Sequence, residues 1–415
     1  MTGGTVTARR PGWAVRIEAA TPPHRDRTVD ALRAVAIAGV VLGHWLVSAL
    51  VGDPHQPGAL HGASPLAHAP WLDPVSWFFQ TLGPFFFAGG YAAARGALRR
   101  EGATEPASGA GEHPRSENRR PLSWLGSRLV RLIRPVLVLA AVWLTALLLL
   151  RAAGVPAGTR RAVWSLVSHP LWFLLVYLAL TALTPVLRAV IVRAGLWSVG
   201  PPVVLVALTD AVRPHGLPTW LALLAVPVGW SVPYLLGLAC GQGRLRRATG
   251  AVLLPLGVAA GAGLVLLAGY PASAVGVPGD GWSNLDPPSL FALALAAAQL
   301  GAFLLVRPWL ARVLRRAVLW APVAAVNRAA MTVYCWHQSA LLLVTFAGLP
   351  FGAPPGLLDP PTGDWPWHRL AWLPVFAAAL TCLCLVFHRF EARAARRSVT
   401  VRPARPTVRA GGSAQ

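Results

Sequence analysis

An all-α polytopic membrane protein is the fold class this chain predicts, and three observations predict it. Hydrophobic residues make up 55% of the 415 and charged residues only 13%, with a mean hydropathy of +0.54, well outside the composition of ordinary soluble domains. Apolar runs long enough to cross ~30 Å of hydrocarbon recur along the whole chain. The basic residues gather in alternate connections between those runs, the pattern that retention of positive charge on the cytoplasmic side produces.

The same composition excludes other classes. Four Cys in 415 residues are too few for a disulfide scaffold, and the 40 Gly show no triplet period. A balance of 37 basic to 15 acidic residues, +22 overall, would suggest nucleic acid in a soluble chain, but beside so many apolar runs it points to a lipid bilayer and no nucleic acid. Every basic residue is Arg. That uniformity reflects a coding bias, so Arg clusters count as phosphate sites only where spacing or topology supports them. Cys240, Cys335, Cys382 and Cys384 lie in or beside apolar stretches and read as small hydrophobes. The outer His55, His61 and His68 are too loosely spaced for metal ligation, so no metal is expected.

Taken in order, residues 1–29 are polar and Arg-bearing without a cleavage pattern, which reads as a cytoplasmic tail before a retained first span. Ten apolar spans follow at about 33–51, 74–95, 132–150, 164–187, 196–212, 217–240, 249–270, 289–306, 328–348 and 368–388. With the N-terminus inside, 32 Arg fall on cytoplasmic segments and five outside: Arg151, Arg160, Arg161, Arg213 and Arg369. This split sets an inner-membrane topology with both termini cytoplasmic. Residues 97–127 carry Gly, Glu, Ser, Pro and Arg without periodicity, a mobile cytoplasmic loop. The outer connections 51–73, 271–288 and 349–367 are rich in Pro, Gly, Trp and His. One membrane domain over 30–390 and an Arg-rich cytoplasmic tail over 391–415 complete the organisation.

The first span carries the densest chemistry. Asp30, Arg33 and His44 interrupt an otherwise apolar run, and ionisable residues inside a membrane are expensive enough to be functional candidates. Arg33 and His44 are eleven residues apart, which on a helix is about three turns plus ~20° and ~16 Å along the axis. They share one face, with Arg33 at the cytoplasmic mouth and His44 deep. Asp30, on nearly the same stripe, can hold the Arg33 guanidinium. Such a pair suits a reaction whose charged donor stays at the mouth while its reactive end reaches a histidine that accepts a proton near neutral pH. Snorkelling of Arg33 and a simple interhelical hydrogen bond from His44 explain the same spacing, and both readings stay open on spacing alone.

These residues match the Asp-x-x-Arg-(x)10-His pattern with which members of acyltransferase family 3 begin their first membrane helix, and the resemblance continues in the family's order. Phe85-Phe86-Phe87-Ala88-Gly89-Gly90-Tyr91 is similar to its Phe-rich second helix. Arg128-Leu129-Val130-Arg131-Leu132-Ile133-Arg134-Pro135 resembles its Arg-x-x-Arg approach to the third, and Trp172-Phe173-Leu174-Leu175-Val176-Tyr177 its fourth. Asn327 to His337, with Tyr334 three residues before the His, resembles its late Tyr-x-x-His segment. One departure is Ala88-Gly89-Gly90 where many members carry Ser before the Gly.

The resemblance implies transfer of an acyl group, acetyl or another short one, from cytoplasmic acyl-CoA to a hydroxyl of an envelope carbohydrate, glycolipid or related acceptor. His44 would be the general base, with Arg33 and Asp30 completing the catalytic helix, and Arg128, Arg131 and Arg134 would meet the donor phosphates. His337 and Tyr334 can line the same cavity as His44, as can Trp172 and Tyr177, although core packing and interfacial anchoring compete for all four. Asn284 and Asp286, on an outer loop, can touch an acceptor or simply form the turn into the next helix. Direct transfer and relay through an acyl-histidine both fit. The rival class is a proton-coupled secondary transporter or glycan-lipid flippase, with His44 and His337 relaying protons and no covalent chemistry.

Overall fold

The computed structural model describes residues 12–53, 56, 58–102, 121–279, 281–352 and 354–397. Its first half comprises α1 (Trp13–Ala19), α2 (Arg27–Val47), a hairpin of β1 (Ala49–Gly52) and β2 (Leu60–Ala63), α3 (Asp73–Phe79), α4 (Leu82–Gly102), α5 (Pro121–Ala152), α6 (Ala157–Ser168), α7 (Trp172–Ala182) and α8 (Thr184–Ala194). Then come α9 (Gly200–Val212), α10 (Thr219–Gly241), α11 (Arg247–Leu267), α12 (Leu290–Val313), α13 (Ala317–Arg328), α14 (Ala330–Gly348) and α15 (Trp365–Arg397). Asp26 opens α2 by accepting from the Thr28 and Val29 backbone N–H groups at 3.0 and 3.3 Å. Ser289 opens α12 by accepting from Ala292 at 3.4 Å. Both satisfy first-turn donors that no helix can satisfy internally.

Among the described residues eight stretches are long and apolar enough to cross a membrane: 27–47, 132–152, 157–182, 184–215, 219–241, 247–267, 290–313 and 365–389. The other two expected spans correspond to α4 and α14, helices of 21 and 19 residues. They are less apolar because they run through the interior: Thr332, Tyr334, His337, Gln338 and Ser339 of α14 are all buried, as are Phe86, Phe87 and Ala88 of α4. The protein is thus an all-α polytopic membrane protein. Its central crossings are made by small residues. A Cβ at Gly90 would overlap the Tyr234 carbonyl oxygen and one at Gly237 the Phe87 carbonyl oxygen, so α4 and α10 touch backbone to backbone. Gly257 and Gly301 do the same between α11 and α12. The Ala88-Gly89-Gly90 variant therefore has a packing reason, since Gly89 also faces the Tyr177 ring.

The bundle has two chemically distinct ends. At the Arg-rich end Arg307 pairs with Asp26 at 2.7 Å, Arg188 with Glu101, and Asn327 donates to the Asp30 carbonyl at 2.7 Å. At the Arg-poor end Trp77 Nε1 donates to Ala272 O at 2.7 Å, Leu60 N to Thr159 Oγ1 at 2.7 Å, and Arg369 to Ser48 O at 2.5 Å.

Several boundaries differ from the sequence expectation. The first span ends at Val47, and Ala49, Leu50 and Val51, expected to continue it, form a buried strand instead. A short apolar run does not reveal its period, and Ser48 in extended conformation turns the chain. The expected tail 1–29 contains α1 and the start of α2. Here α1 docks on α13, with Trp320 Nε1 donating to Thr21 Oγ1 at 2.7 Å and Arg27 pairing with Glu18 at 2.6 Å. Helices α4 and α5 occupy both ends of the expected 97–127 loop, whose residues 103–120 lie outside the described ones. Helix α15 runs on to Arg397, and residues 398–415 of the expected tail 391–415 lie outside the described ones. The expected span 164–187 is interrupted by a 3-10 turn at His169–Leu171 and again at Leu183, and the expected span 196–212 opens on a 3-10 turn at Gly195–Val199 before α9.

Candidate functional site

His44 lies in the last turn of α2, at the Arg-poor end of the bundle. Its Nδ1 is 2.8 Å from the Val40 carbonyl oxygen one turn back. A carbonyl only accepts, so Nδ1 carries the proton and Nε2 keeps its lone pair. The ring is 5.0 Å from that of His337, at 58°. His337 repeats the arrangement on α14, with Nδ1 2.6 Å from Tyr334 O and a buried Nε2 that has no partner. Two helices remote in sequence thus present histidines in the same tautomer.

Neighbouring bonds hold this pair in register. Trp45 Nε1 donates to His337 O at 2.9 Å, fixing α2 against α14. Tyr334 OH donates to Pro170 O, and its ring packs edge-on against Phe173 at 4.6 Å. Arg369, fully buried on α15, donates to the Ser48 carbonyl, while the Ser48 N–H donates to His44 O at 2.9 Å. Its guanidinium lies over the Trp365 and Phe376 rings at 4.5 and 5.3 Å. A cation at this end of α2 also opposes the negative pole of the helix.

His44 faces a cavity of about 860 Å³. Tyr334 and Trp172 line it. His337 does not; it sits behind His44. Tyr177 is also off the wall, packed on Gly89 and against the Phe85 and Phe86 rings at 5.6 and 6.4 Å. Asn284 is a buried staple: its amide donates to Pro271 O and Ser273 O and its oxygen accepts from Ser289. Asp286, two residues on, lines the cavity. His169, on the 3-10 turn after α6, lines it too. Sequence reading passed it over, and its signal was a His-Pro step breaking an apolar run.

Arg33 and Asp30 occupy the opposite end of α2, about three turns from His44. Asp30 pairs with Arg25, not with Arg33 as expected. Helical side chains lean toward the N-terminus, so a first-turn carboxylate reaches back to the preceding loop more easily than forward. Half-buried Arg33 makes no hydrogen bond or ion pair with another described residue. Arg134 is half-buried on α5; the side chains of Arg128 and Arg131 lie outside the described residues. At the N-terminus of α2 the structure holds a cluster that spacing did not reveal. Arg307 Nη2 and Tyr91 OH both meet Asp26 Oδ2 at 2.7 Å, and Arg307 also reaches Thr28 Oγ1 at 3.2 Å and Cys240 Sγ at 3.4 Å. Among the described residues no three His, Cys, Asp or Glu side chains group as metal ligands.

Fold and site together define a polytopic helical membrane protein in which His44, backed by His337, stands at the wall of an internal cavity. The profile of a family described as an acyltransferase domain matches residues 26–389, nearly the whole chain, and the chain belongs to that family, acyltransferase family 3. It is by family a membrane acyltransferase. No curated protein and no solved structure matches it.

Proposed function

We propose that the protein moves an acyl group, acetyl or another short one, from cytoplasmic acyl-CoA to a hydroxyl of an envelope carbohydrate or related acceptor, with His44 as general base. The observation that carries this is the His44 ring itself: Nδ1 is committed to a backbone carbonyl, leaving the basic Nε2 for the cavity. Nε2 takes the proton of the acceptor hydroxyl as its oxygen attacks the thioester carbonyl. The tetrahedral intermediate collapses, the C–S bond breaks, and the imidazolium returns the proton to the departing sulfur, giving an ester and free coenzyme A.

His337 and Tyr334 support the ring, and Trp172 flanks the acceptor. Arg33, with Arg128, Arg131 and Arg134, would hold the donor phosphates at the Arg-rich end, and Asp30 shapes that mouth through Arg25. The ~16 Å between Arg33 and His44 is a distance for an extended pantetheine arm. The Arg-rich end would face the cytoplasm of a bacterial inner membrane, placing both termini there.

The test is coenzyme A binding and acetyl-CoA consumption by full-length protein in nanodiscs. Binding that weakens in Arg33→Ala and Arg134→Ala, together with thiol release, supports the reading. Well-folded protein that neither binds coenzyme A nor releases thiol would overturn it in favour of a proton-coupled transporter or flippase using the His44–His337 pair.

A further inference from the structure

The cavity beside His44 differs in chemistry from what a free polysaccharide needs. Leu66, Val75, Phe79, Phe173, Val277 and Leu370 supply much of its wall, and no Arg lines it among the described residues. Its hydroxyls each make a bond within the protein. Ser64 Oγ accepts from Leu66 N at 3.3 Å and Ser283 Oγ from Leu285 N at 3.0 Å. Ser76 Oγ donates to Asp73 O at 2.5 Å and accepts from Ala274 N at 2.9 Å, Ser48 Oγ accepts from Gln338 at 3.5 Å, and Tyr334 OH donates to Pro170 O. What remains for a ligand is His44 Nε2, the His169 ring, Asp286, the Gln80 amide nitrogen, the Trp172 indole and the spare donor of each accepting serine, few polar groups for so much apolar wall. A molecule with hydroxyls on every side would press several of them against apolar side chains that offer no partner, and a phosphate-bearing group would find no Arg.

The margin of the cavity is equally apolar. Trp71 is 68% exposed, Trp367 65%, Val75 43% and Leu370 41%. Exposed Trp beside exposed aliphatic side chains is the composition of the level where hydrocarbon meets the headgroups, which makes this margin chemically suited to lipid.

We infer that the cavity is the acceptor site and that its acceptor is a membrane-dissolved amphipathic alcohol, one hydroxyl against His44 and a bulky apolar body against the walls, entering from the bilayer. This rests on His44 as the base and deepens that reading. It replaces a free envelope polysaccharide with a hydroxyl carried by a large apolar anchor. The volume is that of a site for a drug-sized molecule, far more than an acetyl group fills. The absence of Arg from the wall assigns the cavity to the acceptor and leaves the phosphates of the donor to the other end.

The experiment offers acetyl-CoA to full-length protein in nanodiscs with farnesol, cholestanol or maltotetraose, reading thiol release and ester product by mass spectrometry. Slow His44-dependent hydrolysis without acceptor reports on the base separately. The expected result is at least tenfold stimulation and an ester product with farnesol or cholestanol and none with maltotetraose; which alcohol is preferred tells a chain from a polycyclic body. Val75→Trp, narrowing the margin, should raise the KM for cholestanol more than for farnesol. Stimulation and acylation of maltotetraose with neither apolar alcohol used would overturn the inference while leaving the base intact. A binding arm stands apart from catalysis: a diazirine-bearing farnesol analogue should label peptides containing Val75, Phe173 and Leu370, displaced by cholestanol. Labelling spread evenly over the outer helices would overturn the site even if turnover is absent.

Discussion

Asp26→Asn removes one charge from the point where α2, α4 and α12 meet. Asn remains a good N-cap, so the change isolates the contacts of Oδ2 with Arg307 and Tyr91, both at 2.7 Å. Burial alone would raise the Asp26 carboxyl. Hydrogen bonds from Thr28 and Tyr91 and the Arg307 charge outweigh burial and hold it at about 2, against an ordinary 3.8. At 1.36 kcal/mol per unit that difference corresponds to about 2 kcal/mol of stability. The two side chains are 22% and 29% exposed, so solvent screening reduces this figure without abolishing it. Because the folded carboxyl is depressed, its contribution is present above the unfolded value and is lost as pH falls from about 4 through about 2. Unfolding of detergent-solubilised wild type, Asp26→Asn, Arg307→Met and the double variant gives the coupling. It should be about 1–2 kcal/mol near neutral pH and smaller near pH 3. Additive single effects at neutral pH, or a coupling that ignores acid, would refute the ion-pair account.

Gly90→Ala forces a methyl into the Tyr234 carbonyl and should cost about 1–3 kcal/mol in the same unfolding assay. Gly96→Ala on the same helix, where an added Cβ meets nothing within 4 Å, should be neutral or gain up to about 1 kcal/mol; equal effects would contradict the backbone contact. Arg369→Met should lower kcat for thioester turnover about ten- to hundredfold with little change in KM, because the C-cap of the helix carrying His44 loses its clamp. Arg369→Lys should recover part of that loss, and an unchanged kcat in the Met variant would show that the clamp does not position His44.

Much of the fold was legible because lipid-facing helices need long apolar runs and because Arg accumulates at one end of the bundle. The His44, Tyr334 and His337 constellation was legible from family pattern and spacing, and the chain brings the two histidine rings to 5.0 Å. What stayed hidden depended on partners from elsewhere in the chain. Asp30 turns back to Arg25 because a loop residue competes for it, which no helical wheel contains. Ala49, Leu50 and Val51 are as apolar as a span and become a strand only because Leu60–Ala63 pairs with them. Asp26, Arg307 and Tyr91 lie on three helices, so their meeting point has no sequence spacing at all. Arg369 counted only as an outer charge, whereas its burial and its bond to the Ser48 carbonyl make it a clamp at the end of the helix that carries His44. Tyr177 went the other way: its motif pointed to the pocket, but packing against Gly89 draws it off the cavity wall.

The central claim is that His44 Nε2 performs the chemistry, and the most direct measurement is acetyl-CoA thiol release by wild type and His44→Ala at equal coenzyme A occupancy. The account expects His44→Ala to bind coenzyme A and fold as wild type does while losing at least about a hundredfold in turnover, the usual worth of a general base. Undiminished release by a well-folded His44→Ala protein would contradict it.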